Sequence, residues 1–216
     1  MSKEQDQARK PRLGIYVECD ESIEPRHQRT LDLMSALKSV TSSKGEKFDM
    51  YVFSSQKEWK RFANSNGMQY RPIPTSGVSN RLGRRLFGQD ASTPKPPEWF
   101  GDMLNRKIGE VKIDLMIFTA PSSLIDEVTT PIITVLSDLE AHYGEKYSAT
   151  EYSELYASAL SHSKVVLADN SEDISYLGES FAKGDADLRM VALDEGSESI
   201  AHDLTPIIRM VARGTE

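Results

Sequence analysis

Asp114-Leu115-Met116-Ile117-Phe118-Thr119-Ala120, then Pro121-Ser122-Ser123, then Pro131-Ile132-Ile133-Thr134-Val135-Leu136, is the stretch that decides the fold. The first run reads as a strong central strand, and the second as a strand rich in β-branched residues. Pro121-Ser122-Ser123 signals the start of a short helix through Val128 between them. Two strands joined by a crossover imply a right-handed connection and a parallel sheet.

The same alternation runs outward in both directions. Leu13-Gly14-Ile15-Tyr16-Val17 reads as a first buried strand that ends in Glu18-Cys19-Asp20-Glu21. From His27 to Val40, apolar residues at Leu33, Met34, Leu37 and Val40 share one helical face. Phe48 to Phe53 is a second strand. Ser54 or Ser55 can cap the helix carrying Trp59 and Phe62, and Gly67 closes it. Gln69 to Ile73 is a short third strand, and a helix returns from about Glu98 to Val111. Downstream, Tyr152, Leu155, Tyr156, Ala159 and Leu160 mark an amphipathic helix. Val165 to Ala168 is a strand, and Asn170 and Ser171 cap a helix with Glu172 and Asp173 in its first turn. Leu188 to Leu193 reads as a last strand and Ile200 to Val211 as a last helix. The expectation is a Rossmann-like α/β fold, a parallel sheet with helices on both faces. Residues 1–11 read as a tail and 12–213 as a single domain. Residues 74–97 form a long basic loop, a length that marks functional or mobile connections.

Composition narrows the function classes. The chain has 216 residues, 38% hydrophobic and 27% charged, which is globular. A formal charge of −7 argues against a nucleic-acid-binding module, which needs a basic face. The single cysteine, Cys19, cannot form an internal disulfide and fits a reducing, cytoplasmic compartment. No apolar run approaches the ~20 residues that span a bilayer. Arg81, Arg84 and Arg85 lie among Leu82, Leu86 and Phe87. They read either as an ordinary solvated helix with one apolar edge or as a peripheral contact with a phosphate group or anionic membrane face.

In open parallel sheets, ligands bind beyond the carboxyl ends of the strands. Those ends are polar here: Glu18-Cys19-Asp20, Ser54-Ser55, Thr119-Ala120-Pro121-Ser122, Ser137-Asp138 and Asp169-Asn170-Ser171. No G-x-G-x-x-G follows the first strand and no phosphate-loop motif occurs, so a dinucleotide or P-loop site is not indicated. No G-x-S-x-G elbow is present either. The four histidines are scattered, and no metal or cofactor is expected. Asp20, Glu21 and Glu24 suit contacts to sugar hydroxyls or a general base as well as they suit a solvated acidic loop.

The order of features from Asp114 to Leu177 resembles the N-terminal, acceptor-side domain of the two-domain GT-B nucleotide-sugar glycosyltransferases (group 1, family 4-like). The matching features are the strand into Thr119-Ala120-Pro121-Ser122, the strand before Ser137-Asp138-Leu139, the Glu145-Lys146-Tyr147 stretch, the helix with Tyr152 and Tyr156, and Asp169-Asn170-Ser171-Glu172 opening a helix. The resemblance implies a catalytic role for Asp138, and an acceptor-binding role for the strand-end residues Glu18, Asp20, Thr119, Ser122, Ser137, Asn170 and Ser171. It implies a carbohydrate or lipid-linked acceptor and a separate donor-binding domain or chain, because the chain ends where that domain begins in the family. The chain also departs from the pattern. Ser137 stands where the family has the histidine of a His-Asp pair. The loop after the first strand lacks glycine and carries carboxylates, which repel a diphosphate. The alternative reading is a non-catalytic binding or assembly module derived from that family.

Overall fold

A computed structural model describes residues 10–17, 30–38, 48–73, 99–136, 149–168, 170–180, 189–192, 204–206 and 208–210. Residues 74–97, expected to be a basic loop, the acidic stretch after the first strand and most of the expected N-terminal tail lie outside the described residues.

Among the described residues, seven strands form one sheet: β1 (Arg12–Tyr16), β2 (Asp49–Ser54), β3 (Gln69–Pro72), β4 (Leu115–Phe118), β5 (Ile132–Leu136), β6 (Val165–Ala168) and β7 (Arg189–Ala192). Their order is β3-β2-β1-β4-β5-β6-β7 and every neighbouring pair is parallel. The Rossmann-like α/β arrangement read from the sequence is therefore the observed one. The helices are α1 (30–38), α2 (Lys57–Ser65), α3 (Trp99–Val111), α4 (Ala149–His162), α5 (Ser171–Ser180) and α6 (204–206 and 208–210).

Strand residues alternate between two buried layers, as a sheet covered on both faces requires. Leu13, Ile15, Val52, Leu115, Ile117, Ile133, Val165 and Leu167 point to one layer. There they meet Leu33, Met34 and Leu37 of α1, Trp59 and Ala63 of α2, and Leu204 and Ile208 of α6. Tyr16, Phe53, Met116, Phe118, Ile132, Leu136 and Val166 point to the other. That layer is completed by Phe100, Leu104 and Ile108 of α3, Tyr156 and Ala159 of α4, and Leu177 of α5. Thr134 also faces this layer, and its hydroxyl pairs with the Ser163 hydroxyl at 2.7 Å in a buried contact. Each of these two groups thus satisfies the other.

Gly14 has a packing reason to sit mid-strand. A side chain there would run into Met116 and crowd Ile113 and Phe53. It lets α3's exit approach β1 closely rather than shaping a phosphate turn.

Two local expectations are corrected. The short helix from Pro121 through Val128 is one 3₁₀ turn, Ile125–Glu127. The Ser122 hydroxyl accepts the Leu124 N–H at 3.3 Å, and the Ser122 carbonyl accepts that of Ile125 at 3.1 Å. These local bonds compete with an α-helical start. Ser54 and Ser55 do not cap α2 either. Its N-cap is Gln56, with no side-chain cap bond, while Ser54 ends β2 and its hydroxyl accepts the Gln56 N–H at 3.2 Å.

Candidate functional site

Sheet order reverses at β1. The chain moves from β1 out to β2 and β3, then returns to place β4 on β1's other side. The crevice beyond the carboxyl ends of β1 and β4 is the topological switch point, where such sheets take their ligands. Beneath it, the rings of Tyr16 and Phe118 lie 4.9 Å apart at 34°. The ladder continues to the rim: the Val17 N–H donates to the Phe53 carbonyl at 3.0 Å, and the Ile73 N–H to the Ser54 carbonyl at 3.2 Å.

Four of the eight residues singled out from the sequence are described. Thr119 follows β4 and is only 4% exposed. Its N–H and its hydroxyl both donate to the Tyr16 carbonyl, each at 3.2 Å, strapping β4 to β1 at the switch point. Ser122 is buried three residues further on, and its hydroxyl holds the turn described above. Both hydroxyls bond to backbone, so their visible work is to shape the rim.

Asn170 and Ser171 stand at the end of β6, exposed. Asn170 Oδ1 accepts the Asp173 N–H at 2.8 Å, and its amide donates to the Asp173 carboxylate at 3.0 Å. The expected cap of α5 is thus present. With Glu172 and Asp173 in the first turn, this helix start supplies its own negative charge, which disfavours an anionic ligand there. β5 lies between β4 and β6, so those two strands run about 10 Å apart. Glu18, Asp20, Ser137 and Asp138 lie outside the described residues. In the chain Glu18 directly follows Val17, and Ser137 directly follows the last residue of β5.

Away from this rim, a small cleft lies at the amino ends of β2 and β3, between Lys38, Asp49, Asn66 and Gln69. It is on the wrong side of the sheet for the switch-point site. At the end of α4, His162 Nδ1 lies 3.1 Å from Asp126, and the Ser158 hydroxyl also meets Asp126. This exposed cluster braces the 3₁₀ turn against α4. Among the described residues, no group of three or more His, Cys, Asp or Glu side chains is placed to hold a metal ion. None of their helices is long and apolar enough to cross a membrane.

The sequence reading passed over Trp99. It is 54% exposed at the start of α3, beside the buried Phe100. The available signal was the adjacent aromatic pair itself, since neighbours in a helix point about 100° apart.

Fold and strand order define a Rossmann-like α/β domain with a polar rim at its strand carboxyl ends. Among solved structures the chain is similar to a sucrose-phosphate synthase from Thermosynechococcus elongatus, at 12% identity and a TM-score of 0.51, over 93% of this chain and 98% of that one. At that identity the likeness speaks to fold. No protein-family profile matches the chain, and no curated protein matches it.

Proposed function

We propose that the chain is the acceptor-side module of a glycosyl-transfer system that uses a nucleotide-sugar donor. The observation that carries this reading is the near-complete coverage, on both sides, of the likeness to a protein named as a sucrose-phosphate synthase. The chemistry agrees with an acceptor role. The stretch Glu18 to Pro25 after β1 has no glycines to admit a diphosphate and carries Glu18 and Asp20, which suit hydroxyl groups. Asp138 would act at the reacting centre, and Ser137, Thr119 and Ser122 would form the acceptor-side wall. The donor would come from a second domain or chain.

A second reading, a binding or assembly module without catalysis, draws support from the rim. The Thr119 and Ser122 hydroxyls are already committed to backbone groups, and Ser137 occupies the family's histidine position.

The test is transfer from a panel of nucleotide-sugars to saccharide and lipid-linked acceptors, with and without a donor-binding chain. The purified chain alone is expected to show no turnover. Turnover by the chain alone that is lost in Asp138→Ala would overturn the half-enzyme reading and give full catalysis to this domain.

A further inference from the structure

We propose that Trp99 is the platform on which a sugar ring stacks at the strand-end rim, a proposal that rests on the acceptor-side reading above. Trp99 opens α3, whose other end is fixed in space. The Val111 carbonyl accepts a bond from the Arg12 guanidinium at 2.7 Å, at the very start of β1. A 13-residue helix is about 20 Å long, whereas a five-residue strand is about 17 Å. The first residue of α3 therefore reaches the level of the strand carboxyl ends.

The flank is defined as well. A side chain at Gly101 would strike Glu127, the Asn105 amide donates to the Glu127 carbonyl at 2.6 Å, and the Thr129 N–H donates to Asn105 at 3.3 Å. That flank of α3 faces the connection between β4 and β5. Successive helical residues are about 100° apart, so Trp99 lies roughly 200° from Gly101, on the flank of α3 away from that connection. Phe100 is locked into the core, and its ring centroid lies 5.9 Å from that of Trp99. The buried neighbour leaves the indole as the exposed member of the pair, with ring contact on one side only among the described residues.

An exposed indole at the ligand edge of a parallel sheet suits the flat face of a pyranose. The ring's axial C–H bonds carry slight positive charge and meet the negative π face, with dispersion over the whole contact. Asp102 in the same helical turn, and a chain charge of −7, tell against an anionic membrane surface as the occupant.

Saturation-transfer NMR on the full chain, with glucose, mannose, sucrose and maltose as probes and ring-less sorbitol as control, tests this. At least one saccharide should receive saturation at its ring C–H protons, and sorbitol should not. Trp99→Ala should weaken that saccharide roughly three- to tenfold, Trp99→Phe should fall between, and the unfolding temperature of both variants should match the wild type. Silence from every saccharide, an equal response to sorbitol, or wild-type affinity in Trp99→Ala overturns the proposal. A Trp99 emission shift that tracks protein concentration instead of saccharide also overturns it, because the occupant is then a second copy. Trp59 is buried at 1% exposure, so it contributes little to such a shift. Saccharide binding without transfer in any donor pairing would keep the platform and remove the transfer reading. Transfer with unchanged KM in Trp99→Ala would do the reverse.

Discussion

Two helix ends solve the same problem with different residues. At the end of α2 the Met68 N–H bonds to the Ala63 carbonyl at 2.9 Å, and Gly67, at φ 71°, to Asn64 at 3.3 Å. At the end of α3 the Ile113 N–H bonds to Ile108 at 3.2 Å, and Lys112, at φ 52°, to Gly109 at 3.1 Å. Both are Schellman closures. The second is held in place by the apolar pair Ile108 and Ile113, both buried, which is why a residue with a side chain is tolerated at a left-handed position. Lys112→Gly should relieve that strain and stabilise the protein by about 0.5–1 kcal/mol, while Gly67→Ala should cost about 1 kcal/mol although the space around it is open. Urea titration of the two variants against wild type checks both signs. The residue scale also shows where site reading stops. Thr119 and Ser122 are legible as polar residues after a strand, but sequence does not show which backbone group takes each hydroxyl. Trp99 was missed for a related reason, since exposure depends on which of two adjacent aromatics the helix turns inward.

Among elements, the edge pair β2 and β3 is joined by a side chain as well as by its ladder. The Tyr70 hydroxyl donates to the Ser54 carbonyl at 2.7 Å and lies 3.1 Å from that of Gln56, bridging β3 to the entry of α2. Burial raises the Tyr70 pKa above its ordinary value. The neutral phenol is then the form the folded state favours. Its contribution is fully present below the unfolded value of about 10 and is lost as pH rises through the folded value. Stability should therefore decline above about pH 10, and Tyr70→Phe should flatten that part of the decline; denaturation midpoints at paired alkaline pH values measure it. Elements were also what the sequence revealed best. The inner strands β4, β5 and β6 are almost unbroken apolar runs because both faces are covered, and Asn170 marked the start of α5 correctly. The segment after β4 was misjudged because Pro121-Ser122-Ser123 carries helix-start signals, whereas the hydroxyl and carbonyl of Ser122 close a tight turn instead.

For the whole molecule, the amino ends of the central strands are gathered by one residue, through its backbone N–H as well as its side chain. Besides its bond to Val111, Arg12 donates its own N–H to the Asp114 carboxylate at 2.8 Å, and its guanidinium lies 3.9 Å from Asp49. β1, β2, β4 and α3 all meet there, at the end of the sheet opposite the ligand edge. Arg12→Met keeps the stem and removes the bonds of the head group. It should lower global stability by about 1–2 kcal/mol, discounted for partial exposure, with an unchanged denaturant slope as the mark of an intact fold. The parallel order of the sheet has a further consequence for how the protein is made. β1 pairs with β4 in the register Leu13↔Leu115 to Tyr16↔Phe118. Once synthesised, β1 must wait for about a hundred further residues before one of its two neighbours exists. At roughly 5–20 residues per second that delay is about 5–20 seconds. During that interval one edge of β1 is unpaired, so nascent-chain crowding, rather than the finished protein's concentration, sets its exposure to mispairing.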